Sequence, residues 1–206
     1  MNAEASLKAN DGTDVRSVPF FTWRREKLLG FYPLESDSGV NIYMKELEFL
    51  KEQNVSEDLI HGVEEFRKNY GVDEAVQGRV TRPSIPFYGK EILEMAIAGL
   101  LEGENLLLAG PKATGKNILA ENLAYAFGRP IYNVSFHVNT NSGDLIGTDT
   151  FVNNEVCLRK GSIYQCAEYG GFGILDEINM AKNDAVSVLH ATLDYRRSID
   201  VPGYDR

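Results

Sequence analysis

The sequence has little of what disulfide-rich, zinc-binding and membrane proteins need. Only two cysteines occur, Cys157 and Cys166, with no Cys-x-x-Cys pair and no histidine pair beside them. A disulfide framework or zinc site is therefore not expected, and both cysteines are interpreted as small buried hydrophobic residues. No apolar run approaches the ~20 residues of a membrane-spanning helix. The polar residues 1–10 lack the apolar core of a signal peptide. These absences favour a cytoplasmic protein.

Basic charge is also scarce. The chain has 21 Lys and Arg against 30 Asp and Glu, which gives a formal net charge of −9. Binding to a nucleic-acid backbone requires a basic surface, so nucleic acid is not expected as the main partner. A nucleotide is still compatible with this charge, because a few loop amides and one lysine can hold its phosphates. The 206 residues are enough for one α/β domain with an additional segment.

Residues 1–81 are predicted to form an N-terminal extension, and residues 82–206 the core. An aromatic stretch in the extension (residues 20–23 and 31–33) is too apolar for a free tail, so we expect it to pack on the body or on a neighbouring subunit. Two amphipathic helices follow, because apolar residues recur at helical spacing. They are Met44, Leu47 and Leu50 in the first helix, and Leu59, Val63, Phe66 and Tyr70 in the second.

Beyond the proline-containing linker at residues 83–86, the pattern predicts a three-layer α/β/α fold with a parallel sheet. A helix at residues 90–101, apolar on most sides, is expected to be buried. Strands are predicted at residues 105–109, 131–136 and 172–175, and helices at residues 116–127 and 182–193. Two short β segments around Asn153 and Asn154 predict a hairpin.

Residues 110–116 match the phosphate-binding pattern G-x-x-x-x-G-K. The buried strand Leu106, Leu107 and Leu108 is predicted before this loop, and a helix with one apolar face after it. Glycines allow the loop to wrap closely, so that its N–H groups and the positive end of the helix meet an anion. Lys116 would reach the β- and γ-phosphates. The alternative is a glycine-rich turn before an ordinary helix.

An acidic pair, Asp176 and Glu177, follows the apolar strand at residues 172–175. In a P-loop fold such a strand carries an Asp that holds Mg²⁺, directly or through water. Glu177 would orient and deprotonate the attacking water. A solvated start of a loop would explain the pair alone, but the pair and the loop together predict a nucleotide site.

One residue departs from the pattern. The position after Lys116 is normally Ser or Thr, whose hydroxyl ligates Mg²⁺, and here it is Asn117. Its amide oxygen could ligate a cation with a different geometry, so nucleotide binding is better supported than magnesium-dependent turnover.

The chain resembles the MoxR branch of AAA+ ATPases, which includes the CbbQ and NorQ activases. The resemblance spans residues 86–206 and rests on four motifs in order. They are the loop at residues 110–117, Asp144-Leu145-Ile146-Gly147, Tyr169-Gly170-Gly171, and Asp176-Glu177-Ile178-Asn179-Met180-Ala181. It implies an ATP or ADP site with Mg²⁺, catalysis by Glu177 and Lys116, and metal binding by Asp176 and Asn117. The nucleotide-binding residues it implies are Gly110, Pro111, Lys112, Ala113, Thr114, Gly115, Lys116, Asn117, Tyr88 and Gly89.

For three further segments the sequence leaves two interpretations open. The segment Phe87, Tyr88 and Gly89 resembles the family's adenine contact, or it is a simple entry turn of a helix. The hairpin at residues 150–160 resembles an insert that faces a ring pore, or it is a surface hairpin. Arg196 and Arg197 either face a neighbouring subunit or form a solvated basic turn.

The resemblance also implies a homo-oligomeric ring, typically a hexamer, and a client protein, possible clients including proteins with a von Willebrand A-type domain. The family's sensor 1 strand, trans-acting arginine and lid domain would follow Arg206, so the core is expected to be incomplete and a weak or inactive ATPase as this chain. The competing hypothesis is a nucleotide-binding scaffold that does not hydrolyse ATP. A small-molecule kinase on the same loop fits less well, because of the acidic motif and the hairpin.

Overall fold

A computed structural model describes the backbone of residues 15–21, together with residues 47–199 and 201. Trp23, residues 31–33 of the aromatic stretch and Met44 lie outside the described residues. No helix in the described part of the chain is long and apolar enough to cross a membrane.

A four-stranded sheet in the order β2-β1-β6-β3 forms the centre of the molecule. Its strands are β1 (Val15–Phe21), β2 (Leu108–Ala109), β3 (Ile131–Ser135) and β6 (Phe172–Asp176). Strands β3 and β6 are parallel, in register from Ile131 opposite Phe172 to Ser135 opposite Asp176. Strand β1 is antiparallel to both of its neighbours. Strands β2, β3 and β6 thus run parallel to one another, as predicted, and the sheet is mixed because a strand from the N-terminal extension, which was not predicted, lies antiparallel between β2 and β6.

Helices cover both faces of the sheet, which confirms the α/β class and the three layers. One face carries α1 (Glu48–Glu52), α2 (Glu57–Asn69), α3 (Lys90–Leu101) and α4 (Lys116–Ala126). The other carries α5 (Ser142–Leu145), α6 (Ser162–Tyr169), α7 (Asn183–Ser187) and α8 (His190–Leu193). Successive residues of β3 alternate between the two hydrophobic clusters, since Ile131 packs into the first, and Tyr132 and Val134 into the second.

The helices of the extension pack directly on the core. Ile60, Val63 and Phe66 of α2 are buried in one cluster with residues of α3 and α4. The predicted burial of α3 holds for one face only, because Ile92 is 51% and Met95 74% exposed. Only one side of α3 meets the sheet and α2, so the opposite side faces outward. A domain boundary near residue 82 stays a prediction.

The P-loop strand is shorter and less buried than predicted. Pairing is limited to Leu108 and Ala109, and Leu107 is 57% exposed. The pairing of the neighbouring strand β1 explains why β2 is short. Residues Val15 and Ser17 pair with β2, and the next residue of β1 on that side is Pro19, which has no N–H to donate.

The segment after the acidic pair is also broken. A single helix was predicted at residues 182–193, but α7 ends at Ser187 and α8 begins at His190. The Ser187 hydroxyl donates to the Asp184 carbonyl at 2.8 Å, and such back-bonding by serine competes with the helical ladder.

The predicted hairpin is confirmed. Strands β4 (Gly147–Val152) and β5 (Glu155–Lys160) pair antiparallel across a two-residue turn. Asn153 and Asn154 both have positive φ, 51° and 65°, as a tight hairpin turn requires. The hairpin carries Cys157, which is exposed, so the prediction that both cysteines are buried is wrong for this residue and confirmed only for Cys166. Cys157 lies on a two-stranded ribbon outside the main sheet, where nothing among the described residues covers it.

Candidate functional site

The predicted phosphate-binding loop lies between the end of β2 at Ala109 and the start of α4 at Lys116. Ala113 and Gly115 have left-handed φ angles of 59° and 82°. The hydroxyl of Thr114 donates to the Pro111 carbonyl at 3.0 Å, which closes the turn. Left-handed residues within a short turn direct successive N–H groups into one concavity, an arrangement that binds anions. The N-terminus of α4, with its positive dipole end, adjoins this loop.

Lys116 lies across the loop. Its Nζ donates to the carbonyls of Gly110 at 3.0 Å and Pro111 at 2.7 Å. These contacts are made by a flexible side chain to loop carbonyls, and a phosphate would offer the ammonium group a stronger, charged acceptor. The loop and its lysine therefore fit a nucleotide polyphosphate.

Strand β6, which ends in the acidic pair, brings Asp176 beside the phosphate-binding loop. Asp176 ends β6, and its Oδ2 accepts a hydrogen bond from Nδ2 of Asn117 at 3.1 Å. Its Oδ1 accepts from the backbone N–H of Glu177 at 3.0 Å. Glu177 adopts a left-handed φ of 55° and begins the 3-10 turn Ile178–Met180. The two predicted halves of the site, 59 residues apart in sequence at their point of contact, are thus joined by one side-chain hydrogen bond.

The surroundings of Asp176 fit a hydrated Mg²⁺. A cavity of ≈ 170 Å³ beside the carboxylate is lined mainly by polar side chains, among them Asn133 and Ser135. In the described part of the chain no group of three or more His, Cys, Asp or Glu could hold a metal alone. Mg²⁺ in nucleotide sites typically uses one or two carboxylates, with phosphate oxygens and water completing its shell.

The orientation of Asn117 bears on its predicted role as a metal ligand. A carboxylate can only accept, so the amide group that faces Asp176 is the donor NH₂. The amide oxygen then points elsewhere, and direct ligation by Asn117 would require the amide to turn over. Asp176 is the better candidate for the metal contact.

The segment predicted to contact adenine is fixed in place by two side chains that the sequence analysis did not identify. Gln53 accepts from the N–H of Gly89 at 2.9 Å and donates to the Phe87 carbonyl at 2.5 Å. Asn122 accepts from the N–H of Phe87 at 3.2 Å and is 1% exposed. A single asparagine on the otherwise apolar face of α4 was the available signal for Asn122. The sequence offers no comparable signal for Gln53.

Phe87 also contacts the loop. Its ring lies 3.6 Å from the position that a Cβ of Gly115 would occupy, so the segment at residues 87–89 and the phosphate-binding loop pack together. Tyr88 is 76% exposed and points no hydrogen-bonding group at another described residue, which leaves its ring accessible to a ligand. The role of Tyr88 and Gly89 in nucleotide binding stays a prediction.

The two arginines after α8 are held within the subunit. Arg196 forms an ion pair with Asp194 at 2.6 Å, and this hydrogen-bonded guanidinium lowers the pKa of the Asp194 carboxyl. Arg197 donates to the side chain of Asn105 at 2.5 Å and to the Gly103 carbonyl at 2.7 Å. Arg196 thus stabilises the turn after α8, and Arg197 links this turn to the segment before β2.

Comparison with known protein families agrees with the presence of a phosphate-binding loop and an acidic pair in one domain. Residues 105–204 match the family model described as AAA domain (dynein-related subfamily). This stretch holds both the loop and the acidic pair. Residues 105–204 are therefore similar to an AAA domain. The P-loop NTPase fold is confirmed, and this similarity supports nucleotide binding by the loop.

Curated relatives match the chain over about half of its length. It is 36% identical over 115 residues to the uncharacterized protein YojN of Bacillus subtilis, which covers 54% of this chain and 38% of YojN. Uncharacterized proteins of Staphylococcus saprophyticus and Staphylococcus epidermidis are 34% and 33% identical over 104 and 116 residues. The matches cover 48% and 54% of this chain, and 40% and 44% of those relatives. The chain thus spans about two fifths of the length of these relatives.

Proposed function

We propose that this chain binds ATP or ADP at the loop as part of a MoxR-like AAA+ protein that hydrolyses ATP and remodels or activates partner proteins. The observation that carries the proposal is the contact between Asn117 and Asp176, which brings the phosphate loop and the acidic pair into one site. A P-loop enzyme needs both parts within reach of the same phosphate groups.

Each part has a role in this proposal. The loop amides from Gly110 to Gly115 and the ammonium group of Lys116 bind the phosphates, and the exposed ring of Tyr88 beside Gly89 contacts the base. Glu177 accepts a proton from the attacking water, which adds to the γ-phosphorus as the bond to the leaving ADP oxygen breaks. Asp176 would hold Mg²⁺, directly or through water, and the metal would supply positive charge to offset the charge that develops on the phosphates.

A second candidate is a nucleotide-binding scaffold without turnover, and Asn117 is the observation that favours it. The residue offers no hydroxyl to a metal and donates its amide to Asp176. A site with this feature can retain ADP through the loop and lysine alone, and in this case Glu177 has no catalytic role.

Turnover and binding measured on the same variants separate the two candidates. ATP binding is followed by titration with a fluorescent ATP analogue, and hydrolysis by phosphate release, each with and without Mg²⁺. We expect Lys116→Ala to weaken ATP binding at least tenfold. We expect Glu177→Gln to retain binding and to lose hydrolysis by roughly 10²-fold or more, the usual contribution of a general base. Lys68→Ala, an exposed lysine on α2, serves as the matched control.

The outcome for Glu177 decides between them. If the chain and Glu177→Gln both bind ATP and release phosphate equally slowly, the scaffold is correct and the ATPase is not.

We also propose that the protein is cytoplasmic and that the N-terminal extension (residues 1–81) is distinct from the core (residues 82–206). We propose further that the protein assembles as a homo-oligomeric ring, typically a hexamer. The proposed client is a protein that carries a von Willebrand A-type domain. Sedimentation with and without ATP tests the assembly.

A further inference from the structure

In the described part of the chain, strand β3 is an open edge of the sheet. It pairs with β6 on one side and ends the strand order on the other. The Pro130 carbonyl accepts from Phe172, and the Phe136 N–H donates to Asp176, so alternate residues of β3 direct their backbone groups to β6. Neighbouring residues of a strand direct these groups to opposite sides. Ile131, Asn133 and Ser135 therefore point their N–H and carbonyl groups away from the sheet.

This edge lies at the bottom of a groove. Two cavities, of ≈ 170 and ≈ 470 Å³, follow β3 and share Asn133 and Glu121 in their linings. Helix α4 forms one wall through Asn117 and Glu121, and the loop after the 3-10 helix Glu74–Arg79 forms the other. A sheet edge exposed between two walls admits a single extended chain and hinders a second full sheet from approaching.

The charges at the ends of the groove differ. Arg79 and Arg82 line the end near Ile131, where Arg79 donates to the Ile131 carbonyl at 3.5 Å. Arg82 is exposed and forms no ion pair with another described residue. At the opposite end, the groove reaches Asn117 and Asp176. Glu121 lines both cavities, so an occupant would complement this charge only if its carboxylates are confined to the arginine end.

We propose that the groove docks an extended, acidic segment of a partner protein, which adds as a strand to the open edge of β3. Backbone hydrogen bonds to Asn133 and Ser135 hold the segment, and its carboxylates pair with Arg79 and Arg82. Strand addition to a sheet edge is an established way in which domains bind extended peptides, since main-chain bonds give affinity and side-chain pockets give selectivity. This docking does not depend on nucleotide turnover.

The test uses the full chain and fluorescein-labelled eight-residue peptides in an anisotropy titration. The first probe alternates valine and threonine and carries two glutamates at one end, prepared in both sequence orders. The second replaces the glutamates by lysines. The third retains the glutamates but has N-methyl groups on alternate backbone nitrogens. We expect a glutamate peptide to bind at least tenfold more tightly than the lysine and the N-methylated peptides.

Two variants locate the binding. The double variant Arg79→Glu with Arg82→Glu should weaken binding of the glutamate peptide at least tenfold. The matched control, Lys51→Glu with Lys68→Glu, reverses two exposed lysines elsewhere and should leave this binding unchanged. If the double variant does not fold, Arg82→Glu alone should weaken binding several-fold. Asn133→Pro removes an outward N–H, which a sheet edge tolerates, and should abolish binding.

Hydrogen exchange gives a measurement without substitution. Bound peptide should protect the amides of Asn133 and Ser135 while leaving that of Asn153, in the turn of the hairpin and outside the groove lining, unchanged. Equal binding of the N-methylated peptide, or unprotected Asn133 and Ser135 amides at saturation, would overturn the proposal. It would equally be overturned if the chain forms a dimer that Asn133→Pro converts to a monomer, because a second copy would then be the occupant.

Discussion

Tyr132 carries the one buried side-chain polar atom in the described part of the chain that has no hydrogen-bond partner. Its ring is 2% exposed and lies under the guanidinium of Arg79 at 4.7 Å. Burial raises the pKa of the Tyr132 phenol from 10.0 to about 12, against an opposing effect of Arg79. The folded protein thus binds this proton more tightly than the unfolded chain, so the stability is complete below pH 10 and is lost as the pH rises towards 12.

We expect Tyr132→Phe to remove this loss of stability at high pH, because phenylalanine keeps the ring and has no proton to release. The difference in unfolding free energy between the variant and the parent should grow between pH 10 and 12 by roughly 2 kcal/mol. Urea unfolding at each pH measures it, with Tyr195→Phe, at a 92% exposed tyrosine, as control. A difference that stays constant across this range would show that the phenol is not shifted in the folded protein.

At Asn117 the prediction concerns magnesium. Replacing it with threonine offers the metal a hydroxyl and removes the amide that donates to Asp176. We expect Asn117→Thr to raise the Mg²⁺-dependent part of ATP affinity about tenfold or less, a gain of ~1 kcal/mol. Asn117→Ala, which frees Asp176 without adding a ligand, is the control in the same titration. Equal affinities of the threonine and alanine variants in Mg²⁺ would contradict the role of the hydroxyl.

At the scale of elements, the sequence predicted the features that depend on residues close together in the chain. The hairpin followed from Asn153 and Asn154, which tolerate the positive φ of a tight turn, and α4 followed from its apolar spacing. The loop was predicted from its match to G-x-x-x-x-G-K between a strand and a helix, and the acidic pair from its place at the end of an apolar strand. The position of β1 was not predictable in this way, since it pairs with strands about 90 and 160 residues away, and Pro19 argues against a central strand.

Gly161, between the hairpin and α6, illustrates a packing constraint invisible in the sequence. A Cβ at this position would meet the Leu145 carbonyl and lie 2.8 Å from the Ile146 nitrogen. Both are backbone atoms that cannot move independently of α5. We expect Gly161→Ala to destabilise the protein by about 2 kcal/mol or more, as overpacking typically does. Thermal unfolding should show this loss, while Gly78→Ala, where a Cβ meets nothing within 4 Å, should unfold like the parent.

Arg129 joins the ends of two helices through carbonyl groups. It is 4% exposed and donates to the carbonyls of Tyr70, Gly71, Tyr169 and Gly170, at the ends of α2 and α6. Burial lowers the pKa of Arg129 to about 10, so the guanidinium stays charged near neutral pH, where the negative ends of two helix dipoles favour it.

Removal of this group would leave several buried carbonyls without donors. We expect Arg129→Met to destabilise the protein by about 3 kcal/mol or more. Arg129→Lys keeps the charge but cannot reach all four residues, so it should restore only a minority of the loss in urea unfolding. Arg159→Met, at an exposed arginine of β5, provides the matched control. Full rescue by lysine would mean that charge alone, and not the branched geometry, stabilises the junction.

At the scale of the whole molecule, β1 connects the two halves of the candidate site. Val15 is opposite Ala109 at the end of the P-loop strand, and Ser17 is opposite Asp176. Strands β2 and β6 make no pair with each other among the described residues, so β1 holds them in one sheet. Without it, both would present unpaired backbone edges, which favour association between chains.

Deletion of residues 1–21 therefore tests the architecture, with deletion of residues 1–14 as the control. The loss of five residue pairs with β6 and two with β2 removes several backbone hydrogen bonds at about 1 kcal/mol each. We expect the unfolding midpoint to fall by about 10 °C or more. We also expect ATP affinity to fall, because the loop and Asp176 lose their common support, and chromatography to show concentration-dependent association. Identical midpoints for the two deletions would place β1 outside the stable sheet.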